Sequence, residues 1–227
     1  YDPDLTKGLP SKLAGPSGIN AMAHSVEALY AQNRNPVLSM LAEEGIRELA
    51  RGLPPICAGD ADDAARSSAL SGAFMCGLAL ATATMGIHHK LCHVVGGTFQ
   101  MPHAETHTVI LPHATDYNRN AAPDAMSAVA RALGTHTAGG GLFAAVVEGW
   151  EGGGGWSEAE LAQFYDRLRR AREGRRRVLA DGRAHGRLGR GEVARHVVQV
   201  TLVTPARVAR APARVRRVVE VPLLHEP

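Results

Sequence analysis

Between Ala61 and about Thr84 the chain is rich in alanine, and its only β-branched residues are Thr82 and Thr84, at the end of the stretch. Alanine loses no rotamer freedom in a helix, whereas β-branched side chains are stiff against the preceding turn. This composition therefore predicts one long helix whose small residues let neighbours pack closely, the central core helix of the fold. Helical spacing continues on either side. Ile19, Met22, Ala23, Val26, Leu29 and Tyr30 recur at that period between Ile19 and Gln32. Asn35-Pro36 ends that element and starts another that runs to about Arg51, with Pro54-Pro55 as its stop. Two more helices are expected at Ala104 to Tyr117, interrupted at Pro112, and at Asp124 to Leu133, closed by Gly134. No period-2 strand pattern occurs before residue 134, so the fold class is all-α.

With 227 residues, 45% of them hydrophobic and 21% charged, the chain is long enough to bury a core in one domain or two small ones. Cys57, Cys76 and Cys92 are odd in number and form no Cys-x-x-Cys pair, which argues against a disulfide framework or thiolate zinc site and for a reducing, cytoplasmic compartment. The apolar run from Gly72 to Gly86 is shorter than the roughly 20 residues of a membrane span, and the first residues have no signal pattern, so no membrane is expected. Tyr1-Asp2-Pro3, with no initiator Met, reads as the interior of a longer protein.

Charge divides the chain into two kinds of sequence. Residues 1–134 hold nine Lys or Arg against twelve Asp or Glu, whereas residues 135–227 hold sixteen Arg, no Lys and ten Asp or Glu. We therefore expect a helical domain at 1–134 and an Arg-rich tail at 135–227 that includes a helix from Ser157 to about Leu179. Arg175-Arg176-Arg177 and Arg216-Arg217 admit a nucleic-acid arm, a solvated tail, or translation of a shifted frame in GC-rich DNA. An abrupt arginine bias without lysine, and with few aromatics, fits the frame change best and speaks against nucleic acid as partner.

Residues 86–107 gather five of the eleven histidines, at 88, 89, 93, 103 and 107. His89 and His93 are four apart, hence on one helical face, and His103 follows behind Pro102. Asn20 and His24 repeat the four-residue spacing upstream. A buried imidazole needs partners for both nitrogens, so several together point to a metal site or a proton-transfer cluster rather than to packing. Lys90 lies about 100° around the helix from His89. His113 and Cys92 fit capping and packing.

These motifs, Asn20-x3-His24 followed by His89-x3-His93-x9-His103 with Gly96-Gly97 and Pro102 between, resemble the iron-containing alcohol dehydrogenase family. Ser17-Gly18-Ile19-Asn20-Ala21-Met22-Ala23-His24, His88-His89-Lys90-Leu91-Cys92-His93 and Pro102-His103-Ala104-Glu105-Thr106-His107-Thr108 are similar to its maleylacetate reductase branch, over residues 1 to about 134. The resemblance implies the helical C-terminal half of that fold. It places His24, His89 and His103 on metal-ligand positions, Asn20 where metal-binding members carry Asp, and His93 on a non-ligand catalytic histidine. An amide is a neutral donor, so Asn20 weakens the hold on a divalent cation, while three imidazoles still suit an open zinc site.

The implied function is the substrate-binding half of an NAD(P)H-dependent reductase that reduces the carbon-carbon double bond of maleylacetate to 3-oxoadipate in aromatic-compound breakdown. His93 would act as proton donor or beside the nicotinamide, His24, His89 and His103 would shape the oxyanion and carboxylate site, and Asn20, Lys90 and His107 would line it. Protonated histidines and Lys90 would attract the dicarboxylate. NADH or NADPH would be bound by a cofactor domain lacking here, because Gly139-Gly140-Gly141 follows no strand and is a weak phosphate cradle. The fragment alone is expected to be inactive, and the intact enzyme to be a homodimer. The alternatives are an Fe- or Zn-dependent alcohol dehydrogenase of the same superfamily and a non-catalytic fragment with a basic nucleic-acid-binding tail.

Overall fold

The computed structural model describes residues 1–143 and six helical positions at 163, 166, 167, 169, 170 and 173. The chain divides into two compact units, Tyr1–Cys92 with Pro102–Gly155, and His93–Met101 with Trp156–Pro227. A 3-10 turn at Pro3–Thr6 leads into α1 (Ser11–Ala28), α2 (Pro36–Ala58), α3 (Asp63–Thr82), α4 (Ile87–Phe99), α5 (His103–Asn118), α6 (Pro123–Leu133) and α7 (Ala138–Phe143). No strand occurs among the described residues, in keeping with an all-α class.

Proline punctuates the chain less than its sequence suggests. Helix α1 begins at Ser11 rather than near Ile19, because Pro10 is an extended N-cap and Pro16 is absorbed two turns later, where it is buried. The Pro16 carbonyl accepts from the Thr108 hydroxyl of α5 at 3.4 Å. Helix α2 runs on through Pro54-Pro55, which were expected to stop it. Two backbone bonds are lost there, but buried Leu53, Ile56 and Cys57 fix the final turn in apolar surroundings. Gly59, at φ 83°, provides the left-handed stop. Helix α5 likewise passes unbroken through buried Pro112, correcting the expected interruption.

The long alanine-rich helix is present as α3, packed on α2 and α1. Small residues set the approach. A Cβ on Gly52 would lie 2.5 Å from the Ala65 carbonyl oxygen, and one on Gly72 would lie 2.8 Å from the Leu49 amide nitrogen. It is not the central helix, however. Only Ala65, Gly72, Cys76 and Ala79 are buried, while Phe74 and Leu80 are 46% and 45% exposed. The core instead centres on Ile19, Met22 and Val26 of α1 and Leu38, Ile46 and Leu49 of α2, closed by Leu111, Val129 and Leu142. Among the described residues, α3 is the one helix long and apolar enough to cross a membrane by length and composition, with 22% of it buried, so the expectation that no apolar stretch reaches the length of a span does not hold.

Gly134, at φ 66°, ends α6 where the sequence places the stop. Gly139, Gly140 and Gly141 fall inside the six-residue α7. In the second unit Gln100 takes φ 52° just past α4, and the Met101 amide closes back on the Gly96 carbonyl at 3.2 Å. Arg169 and Arg170 pair with Asp166 one turn away, as in the helix expected from Ser157. The rest of that helix, Arg175-Arg176-Arg177 and Arg216-Arg217 lie outside the described residues.

Candidate functional site

Three helices of the first unit bring histidines together. Helix α1 supplies His24 with Asn20 one turn before it, the first turn of α4 supplies His88 and His89, and the start of α5 supplies His103 and His107. The rings of His24 and His89 stack with centroids 4.8 Å apart and planes 29° from parallel. His107 meets His89 edge-on at 4.8 Å and His88 edge-on at 4.9 Å, and lies 4.3 Å from His103 with the planes tilted by 44°.

The organising residue is one that sequence reasoning missed. Glu27, fully buried on α1, accepts from the Gly86 amide at 2.9 Å, the His88 amide at 2.7 Å, the Tyr30 hydroxyl at 3.1 Å and His89 Nδ1 at 2.7 Å. Two of these donors are amides at the start of α4, which have no carbonyl within their own helix to bond. A carboxylate there is also favoured by the helix dipole. Burial works to raise the Glu27 carboxyl pKa, but the His89 hydrogen bond, the neighbouring His88 and His89 and the His88 amide outweigh it and hold it low. The signal was available in the sequence as an acid between Val26 and Ala28-Leu29, three residues after His24 and on the same face.

His88, also missed as a separate feature, is fully buried, and its Nε2 donates to the His107 carbonyl at 3.0 Å. Cys92 Sγ lies 3.3 Å from the same nitrogen, and burial pushes that thiol well up. Desolvation by burial pushes the His88 pKa down to about 4. His24 is also lowered to about 4, first by burial and then by the neighbouring His89. Both rings are therefore neutral at pH 7, so His24 offers a hydrogen-bond donor rather than the positive charge expected from the sequence.

The other sequence-derived positions scatter more. His103 is exposed and touches the cluster through His107, which is 1% exposed. Lys90 is exposed, as its position around the helix from His89 suggests. His93 is exposed and belongs to the second unit. Asn20 is half-buried, and its Oδ1 is shielded from solvent with no hydrogen-bond donor among the described residues. Among the described residues, the three whose ligand-capable atoms lie within 4.8 Å of one another are His88, His89 and His107.

Comparison with known proteins gives this arrangement a context. The sequence profile of the Fe-containing alcohol dehydrogenase family, C-terminal, matches residues 15–146. The chain is 55% identical over 143 residues to a maleylacetate reductase of Burkholderia cepacia, covering 63% of this chain and 41% of that protein. Against the maleylacetate reductase of Sphingobium indicum it is 54% identical over 134 residues, covering 59% and 38%. The crystal structure of maleylacetate reductase from Agrobacterium tumefaciens is similar with a TM-score of 0.63 at 41% identity, covering 74% of this chain and 49% of that one. The chain thus spans about two fifths of the length of the curated relatives it matches.

Proposed function

Because the chain belongs to the Fe-containing alcohol dehydrogenase family, we propose that it forms the substrate side of an NAD(P)H-dependent reductase acting on a small unsaturated keto-dicarboxylate, maleylacetate in the first instance. The observation that carries this reading is the packed imidazole cluster of His24, His89, His103 and His107 anchored on Glu27, in a sequence about half identical to enzymes named maleylacetate reductase. The described residues contain no strand followed by a glycine loop and helix, so the reading assigns the dinucleotide to sequence beyond them. When bound, the nicotinamide supplies hydride to the carbon-carbon double bond.

This chain's own residues then have two tasks. Saturating a double bond beside a ketone leaves enolate charge on the ketone oxygen, which neutral imidazole N–H groups stabilise as donors in a water-poor site. His24 fits that role, being stacked on His89 and neutral at pH 7. The carbon next to the ketone then takes a proton, a role we assign to His93, with Asn20, Lys90 and His107 lining the substrate. We place the enzyme in the cytoplasm and expect it to act as a homodimer.

A second reading keeps a metal. Asn20 Oδ1, shielded and without a hydrogen-bond donor, and neutral imidazoles are donor types that suit zinc or iron; this reading assigns the cation to His24, His89 and His103, although the imidazoles whose atoms gather within 4.8 Å are those of His88, His89 and His107. Bound there, the metal would polarise a carbonyl as a Lewis acid. The intact enzyme oxidising NADH or NADPH with maleylacetate, unaffected by chelation, is the result expected. A strict requirement for stoichiometric metal supports the alcohol dehydrogenase reading, and no turnover of maleylacetate with either cofactor overturns the proposal.

A further inference from the structure

We infer that Glu27 is the positioning residue of the cluster: it keeps hydrogen on His89 Nδ1 and fixes the ring, so that the acid sets the direction in which Nε2, on the opposite edge, points. The argument is one of acceptor capacity. A carboxylate accepts about two hydrogen bonds on each oxygen and donates none. Oε1 takes the His88 amide and the Tyr30 hydroxyl, and Oε2 takes the Gly86 amide and His89 Nδ1. Two of the four donors are backbone amides with no choice of role. A carboxyl group carrying a proton on either oxygen would point it at one of these donors, so Glu27 is the acceptor in every pair and His89 Nδ1 carries the hydrogen.

The geometry also makes the lock stiff. Glu27 is fully buried, and the two amides tie its carboxylate to the start of the helix that carries His89. Carboxylate and imidazole are therefore fixed to the same turn of backbone, and the ring cannot turn over without breaking a 2.7 Å charge-assisted bond. The same direction serves a ring that carries hydrogen on Nε2 and donates to substrate and a ring that is bare there and ligates a metal, since a histidine held by a carboxylate at one nitrogen has its orientation set at the other. The role in turnover rests on the reductase reading, but the tautomer does not.

The test is the nitrogen-15 spectrum of His89 in the intact protein at neutral pH, with the Glu27→Gln variant beside it. The expected wild-type result is a protonated Nδ1. A glutamine has one acceptor oxygen in place of two, so the variant cannot satisfy all four donors, and a population with hydrogen on Nε2 and none on Nδ1 should appear. In steady-state kinetics kcat should fall about 10- to 100-fold with KM little changed, whereas a purely structural role would lower the folded fraction and leave the surviving enzyme normal. A wild-type His89 found as the Nε2–H tautomer overturns the inference, even if the variant does not fold. So does a folded variant with an unchanged spectrum. A correct tautomer in a protein that leaves maleylacetate untouched would instead fault the reductase reading and leave this inference standing.

Discussion

The imidazole of His24 lies flat on that of His89, centroids 4.8 Å apart, although the two come from helices separated in sequence by the whole of α2 and α3. Burial first, and then the neighbouring His89, hold His24 neutral well below its ordinary range.

Stability should fall as the pH is lowered from about 6.5 to about 4. His24 and His88 have folded pKa values near 4 against an ordinary 6.5, so in this window the unfolded chain binds more protons and stability rises with pH. For the fully buried His88 the full effect is about 3 kcal/mol. Glu27, with its pKa held low, adds stability above its ordinary value that is lost as the pH drops through the folded one, in the same direction. Urea midpoints measured across the window should decline steadily; a flat profile would contradict the neutral buried rings.

Gly86→Ala should damage the site from outside it. The added Cβ would lie 2.9 Å from Glu27 Oε1 and 3.1 Å from Tyr30 Cε2, and the carboxylate has no slack because it is tied to four donors. A loss of about 1–3 kcal/mol in chemical denaturation is expected, with unchanged stability counting against the tight carboxylate.

Gly52→Ala and Gly77→Ala should part company. The first meets backbone of α3 at 2.5 Å and should cost about 1–3 kcal/mol by overpacking. The second meets nothing within 4 Å and should gain up to about 1 kcal/mol from helix propensity. Equal effects in thermal melts would contradict a close α2–α3 contact at Gly52.

Asn20→Asp should raise affinity for zinc or ferrous ion by about tenfold or more, since a carboxylate adds a full charge beside the cation. Metal content after dialysis against limiting chelator measures it, and equal retention by both proteins would detach Asn20 from any cation site.

His93→Ala in the intact enzyme should lower kcat about 10²- to 10⁴-fold if this histidine delivers the proton. A rate within a few-fold of wild type, measured with saturating cofactor, would remove it from that role.

The all-α class was legible because residues 61–81 avoid β-branching and because Gly134 marks a true helix end. Pro54-Pro55 and Pro112 misled for a physical reason: proline costs local hydrogen bonds, but burial of Leu53 and Ile56 beside the pair, or of Pro112 itself, offsets a penalty that local sequence alone prices as a stop. The motifs led to His24, His89 and His103 but not to Glu27 or His88. An acid in an apolar stripe announces only that it needs donors, and three of its four lie at the start of a helix about sixty residues away. The neutrality of His24 was equally hidden, since it arises from a depth of burial that spacing does not encode.

The adjacency of His88 and His89 carries a mechanical consequence. Two consecutive residues on α4 are fastened on different sides, one ring to the backbone of α5 and the other to an acid of α1, while the His88 amide is fastened to that same acid. A rotation or slip of the helix that frees one ring must tear the other loose as well. The start of α4 therefore behaves as a keyed joint, and a ligand arriving at it meets a preset lattice of rings to which it must conform.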